Sequence, residues 1–150
     1  MALAIATVAD SISKISVSGL VIKDIDQIPA GVDGRQPTMI PLPDYLTDFN
    51  MERDSFGGGS TALMTVTYRL NYRLCYKPAG SGRSNALDWF DNMVAMVGLI
   101  LDAVLAIEVM TGTIDIVPVN VFNVGLVNDP ADNAFYGADL SFQVKEFVNG

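Results

Sequence analysis

The chain has 150 residues, half of them apolar and 17% charged, and it carries a net charge of −8 from 17 acidic and 9 basic side chains. That balance describes a globular domain with a real core, excludes a disordered chain, and is apolar enough to point to buried contacts between copies. The acidic surplus argues against gripping phosphate backbones, the absence of histidine removes the commonest general base and metal ligand, and the lone Cys75 can form neither an internal disulfide nor a cysteine zinc site.

No basic region precedes the first apolar stretch, so the N-terminus does not read as a signal peptide. Ile5, Val8, Ile12 and Ile15 recur at helical spacing among alanines and predict a short amphipathic helix. Leu20 to Ile28 reads as a first strand, closed by Pro29. Residues 29–60 hold four prolines, glycines at 31, 34 and 57 to 59, and an acidic excess. The prolines at 41 and 43 forbid a central strand, so Thr38 to Leu42 is expected to be no more than a short extended piece. The segment is expected to be irregular, with Gly57 to Gly59 as a hinge. Its apolar residues Met39, Ile40, Leu42, Tyr45, Leu46 and Phe49 are too many for an inert linker, which makes it a candidate partner-docking segment.

Residues 62 to 76 alternate without a break. Met64, Val66, Tyr68, Leu70, Tyr72, Leu74 and Tyr76 point one way; Thr65, Thr67, Arg69, Asn71, Arg73 and Cys75 point the other. At about 3.3 Å per residue this strand would run roughly 50 Å, against a radius of gyration near 15 Å for a compact chain of this size. It must bend or project. Residues 78–82 form a turn-rich break. A helix is then expected from near Ser84 or Asn85, with Asn85 and Asp88 resembling a weak capping box, to about Ile107. Around it, Asp88, Asp91, Ala95, Gly98 and Asp102 make one narrow stripe and nearly everything else is large and apolar. That is more apolar arc than one sheet requires, so the helix is expected to be sandwiched, and Ala95 and Gly98 to be closely approached. Its longest uncharged run, Met93 to Leu101, is far short of the ~20 residues that cross a bilayer. The reading is a soluble intracellular product with no lipid anchor. After a turn at Thr111 to Thr113, Ile114 to Val127 and Phe135 to Phe147 predict a terminal hairpin, with Pro118 at an edge or bulge.

The chemistry-bearing candidates all have plainer readings. Lys77-Pro-Ala-Gly-Ser-Gly-Arg-Ser84 follows a strand and opens a helix, as a phosphate loop does. But Lys77 stands where the nucleotide-binding loop needs glycine and Arg83 where it needs lysine, so it reads as a connector. Asp24/Asp26, Asp88/Asp91 and Asp129/Asp132 lack the company a catalytic dyad needs, and residues 128–133 lack the spacing and glycine of a calcium loop. Arg69, Arg73 and Lys77 could form a basic stripe, but strand faces are often charged to discourage edge pairing. Tyr68, Tyr72 and Tyr76 share the apolar strand face, where a core or subunit contact outweighs base or sugar stacking. No catalytic, metal-binding or cofactor-binding residue emerges, and an enzyme is not expected.

The element order, the long strand Thr61 to Tyr76 with its repeated Tyr68-Arg69-Leu70 and Tyr72-Arg73-Leu74, and the ending Phe135-Tyr136-Gly137-Ala138-Asp139-Leu140-Ser141-Phe142-Gln143-Val144 resemble the tail terminators of tailed bacteriophages. The fold expected is α+β: one domain over 1–150, a mostly antiparallel sheet with a short N-terminal helix and one long apolar helix packed on it. The resemblance implies a virion protein assembled in the host cytoplasm. Six copies would form a ring that caps the tail tube, stops its polymerisation and joins it to the head–neck connector, with no catalysis, cofactor or membrane. An acidic channel would let DNA pass without specific binding. The interface would draw on Met39, Ile40, Leu42, Tyr45, Leu46, Phe49, Ala95 and Gly98. Another small phage neck, tail-completion or tail-tube protein is the nearest alternative, and a small non-viral ligand-binding module a more distant one.

Overall fold

A computed structural model describes residues 3–53, 63–79, 86–107 and 114–149. The chain begins with helix α1 (Ile5–Ser13), followed by strand β1 (Val21–Ile22), a 3-10 turn (Ile25–Gln27) and strands β2 (Thr38–Arg53) and β3 (Leu63–Pro78). Helix α2 (Ala86–Leu105) and strands β4 (Ile114–Asn128) and β5 (Ala134–Asn149) complete it. The strands form a single sheet in the order β1-β2-β3-β5-β4, antiparallel except for the short parallel β1–β2 pair.

The balance of structure corrects the expectation of an α+β fold. The described residues are mostly β, 52% strand and 24% helical, built as one curled mixed sheet. Among the described residues there is no long apolar helix. Instead α2 is amphipathic: Trp89, Met93, Val97, Ile100 and Val104 enter the core at helical spacing, while Asp91, Asn92 and Asp102 are exposed. The strand excess comes from residues 38–53, expected to be extended only over Thr38 to Leu42 and irregular beyond, which form β2 throughout. Pro41 and Pro43 do not break it, because β1 covers the outer side of β2 only at Thr38 and Met39. Beyond that point the outer side is an edge, where a missing N–H costs nothing. The ladder with β3 absorbs the disruption in two register shifts, between Pro41 and Leu46 and between Thr47 and Asn50. The expected strand over 20–28 shrinks to β1 because the Asp24 carboxylate accepts the Ile25 N–H at 2.7 Å and Gln27 reaches back to the Asp24 N–H. That capping box turns the chain into the 3-10 turn.

Strand β3 lies at the centre, paired with β2 and β5 from end to end, so it bends with the sheet rather than projecting. Its alternation decides the layers. Val66, Tyr68, Leu70, Tyr72 and Leu74 join Leu140, Phe142 and Val144 of β5 beneath α1 and α2. Register pairs Tyr68 with Val144, Leu70 with Phe142 and Tyr72 with Leu140. Helix α1 is fastened by a buried carboxylate. Glu146, in phase with the core face of β5, accepts the Ala4 N–H at 2.9 Å and the Tyr68 hydroxyl at 2.5 Å. Burial, reinforced by that hydrogen bond and charge, pushes the Tyr68 phenol far above its usual range. The readings placed on Gly57 to Gly59, the loop at 80–84, the cap formed by Asn85 and the Asp88 side chain, and the turn at Thr111 to Thr113 lie outside the described residues.

Candidate assembly edges and the polar face of the sheet

One side of the sheet ends in the two-residue β1, which leaves most of β2 as the margin, and the other ends in the long β4. Lys23 donates its N–H to the Met39 carbonyl at 2.9 Å. From Ile40 to Arg53, no strand among the described residues pairs with the outer side of β2. At the opposite margin no strand among the described residues pairs with the outer side of β4, Ile114–Asn128. Native sheets blunt such edges with prolines, bulges and inward charge. Edge β2 carries Pro41, Pro43, two register shifts, Asp44, Asp48 and Glu52. Edge β4 carries Pro118 and two register shifts, with Asn123 and Gly125 at positive φ, but Asp115 is its single charged residue. Val117, Val119, Val124 and Leu126 are exposed along it, Leu126 by 68%. Neither a lysine nor an arginine guards β4.

The structure separates the residues singled out from sequence. Met39, Ile40 and Leu42 are buried in the subunit's own core and offer little surface. Tyr45 and Leu46 come together with Ile5, Ala6, Ala9 and Ile25 around a groove of about 400 Å³, with Asp24 and Asp26 on its rim. Phe49 is exposed on one side and stacks on Tyr68 on the other, ring centroids 5.9 Å apart. Ala95 and Gly98 lie on the outer surface of α2 and do not line that groove. A Cβ at Gly98 would meet nothing within 4 Å. The close approach expected there is therefore not made by the described residues of the subunit.

The sheet face away from the helices holds a polar cluster that the sequence did not reveal. Arg73 of β3 grips Asp139 of β5 with two parallel hydrogen bonds, Nε to Oδ1 at 2.7 Å and Nη2 to Oδ2 at 2.9 Å, and donates through Nη1 to the Asn128 carbonyl. Asp139, almost fully buried, also accepts from Asn123 Nδ2 at 2.8 Å. Next to it, Asn71 donates to the Asp44 carbonyl and to Thr47 Oγ1, holding the bulged part of β2 over the sheet. Arg69 pairs with Asp48 at 3.3 Å. Both arginines of the apparent basic stripe are thus neutralised by carboxylates. These residues surround a depression of about 360 Å³ that also takes in Asn120, Phe122 and Ser141. The signal for the pairing was the shared odd phase of Arg73 and Asp139 on their strands. Only the register, Arg73 opposite Asp139, turns that phase into a contact.

Cys75 is buried against Val127 and Phe135, and burial pushes its thiol up to about 12. A thiol held protonated at neutral pH is a packing group, not a nucleophile. Asp129 pins the β4–β5 loop to the segment before β2, accepting the Val32 N–H at 2.9 Å and the Asn133 N–H at 2.8 Å. Burial works to raise its carboxyl, but these backbone donors prevail and hold it below the usual range. Among the described residues no group of three or more metal-ligating side chains converges, and no helix is long and apolar enough to cross a membrane. No protein-family model matches the chain, and no curated protein matches it.

Proposed function

We propose that the protein is a structural ring subunit, a tail terminator of a tailed bacteriophage, acting by assembly rather than catalysis. One observation carries this reading: a sheet whose two opposite margins, β2 beyond Met39 and β4 throughout, are both long and without a strand partner among the described residues. Strand pairing between β4 of one copy and β2 of the next is a heterologous contact, and heterologous contacts repeated with a closing rotation make rings. Both edges bring apolar side chains to the seam, Val117, Val119, Val124 and Leu126 from β4 and Phe49 and Met51 from β2. Six copies is the number the family resemblance implies. In that reading the ring caps the tail tube, stops its growth and docks the head–neck connector, while DNA passes through a lumen that an acidic chain does not make adhesive.

The test is oligomeric state by native mass spectrometry and light scattering. The wild-type chain is expected to form a closed ring. Val117→Lys with Leu126→Lys, both at exposed positions, is expected to give a folded monomer, because a lysine on an edge blocks pairing. A wild-type chain that stays monomeric at high concentration and in the presence of tail tubes overturns the reading. The second reading, a ligand-binding module, draws on the polar depression around Asn71 and Ser141, where the buried Ser141 hydroxyl has no hydrogen-bond partner.

A further inference from the structure

Helix α2 carries a second apolar stripe that the subunit leaves uncovered. Phe90, Val94 and Leu105 are exposed and Leu101 is half-buried. Spaced by four, seven and four residues, they fall on one line along the helix, beside the stripe that enters the core. Gly98 adjoins that line. A mid-helix glycine weakens a helix, and here the subunit gives no packing reason for it, since a Cβ would meet open space. What glycine provides at such a place is a notch where another helix can come close. Beyond the notch lie Asp91 and Asp102, both exposed. The last turn of α2 contains no basic residue to offset the partial negative charge of its C-terminal carbonyls.

We propose that this stripe seats an amphipathic helix of a different protein, one with an apolar ridge bordered by lysine or arginine. The ridge would cover Val94, Leu101 and Leu105 and enter the notch at Gly98, while the basic border meets Asp91, Asp102 and the helix end. A second copy of this chain does not supply that occupant, because neither α1 nor α2 contains a lysine or arginine. The stripe is present on a single subunit, so the inference does not depend on ring closure.

The test uses the intact protein and two synthetic helical peptides with the same leucine ridge, one bordered by lysines and one by glutamates. By fluorescence anisotropy at low salt, the lysine peptide is expected to bind about ten-fold tighter or better than the glutamate peptide, with the gap narrowing as salt is added. Val94→Asp with Leu105→Asp should abolish binding. Asp91→Asn with Asp102→Asn should erase the preference between peptides, and Gly98→Leu should weaken the lysine peptide by filling the notch. All these positions face outward, so circular dichroism should show an unchanged fold for each variant. Equal affinity for both peptides, or no binding of either, overturns the proposal. So does a drop in oligomeric state caused by Val94→Asp with Leu105→Asp, because that would make a second copy the occupant. Loss of the ring in Val117→Lys with Leu126→Lys, with peptide binding retained, would separate this surface from the assembly edges.

Discussion

Glu146 is a carboxylate placed where the core pattern of β5 calls for an apolar residue, and replacing it tests how the fold tolerates it. It is 1% exposed and holds two donors from distant parts of the chain, the Ala4 N–H at the start of α1 and the Tyr68 hydroxyl of β3. Glu146→Gln keeps the shape but leaves one oxygen for two donors, so one donor faces an amide N–H. A buried donor without a partner costs about 1–3 kcal/mol, and a hydrogen bond to a charged acceptor contributes about 1.5–3 kcal/mol. Glu146→Gln is therefore expected to lower unfolding free energy by about 2–3 kcal/mol. Glu146→Ala, which orphans both donors and opens space, is expected to lose about 3–5 kcal/mol. The assay is urea unfolding of the edge-blocked Val117→Lys, Leu126→Lys background, since self-association would make apparent stability depend on concentration. Tyr68→Phe supplies the cycle: with the hydroxyl gone, Glu146→Gln should cost less by about 1–2 kcal/mol. A Glu146→Gln loss below about 0.5 kcal/mol, or a coupling indistinguishable from zero, would refute the account of Glu146 as the fastening between helix and sheet.

Other expectations follow from single contacts. A Cβ at Gly137 would sit 1.8 Å from the Leu74 carbonyl oxygen, so Gly137→Ala should destabilise by about 3 kcal/mol or prevent folding, read from soluble yield and melting. Gly98→Ala, in open space, should instead stabilise the free subunit by roughly 0.5–1 kcal/mol, read from its urea midpoint. Arg73→Met leaves the buried Asp139 carboxylate without its cation and should cost about 3–5 kcal/mol, with much of the loss recovered when Asp139 is also changed to Asn. Because the folded state holds the Asp129 carboxyl below its unfolded value of about 3.9, its contribution is fully present above that value and is lost as pH falls through the depressed one. Asp129→Asn should therefore flatten the fall in melting temperature below about pH 4 and speed hydrogen exchange at the Val32 amide.

What could be read from the sequence was whatever repeats locally. The alternation of β3 and β5 marked both strands and their core faces within a residue or two of their ends, and Pro118 marked a register shift in β4. β2 escaped because its first five residues are all buried and its next eleven are not, so no period of two exists to be seen. Its strand character comes from pairing with β3, a tertiary effect that overrides two prolines. The outer face of α2 illustrates the same limit. The sequence marked Ala95 and Gly98 as a stripe, but only exposure distinguishes a stripe pressed against a sheet from one facing solvent. Glu146 was legible in principle: Ala138, Leu140, Phe142 and Val144 point inward, and the next residue in phase is a carboxylate. The pairs that matter most, Arg73 with Asp139 and Tyr68 with Glu146, join strands far apart in the chain and depend on a register that no local pattern encodes.

The central position of β3 carries a consequence for biosynthesis. Its neighbour on one side is β2, made just before it, but its neighbour on the other is β5, which the ribosome releases only after α2 and β4: Leu63 faces Asn149 and Pro78 faces Phe135. Until β5 has emerged, β3 presents a sixteen-residue apolar and tyrosine-rich margin that lacks one of its two partners. Such long-range pairing slows folding and exposes nascent chains to one another. Polysomes crowded with this message would hold many such margins side by side, so yield should rise with slower initiation or with a trigger-type chaperone that shields β3 until β5 arrives.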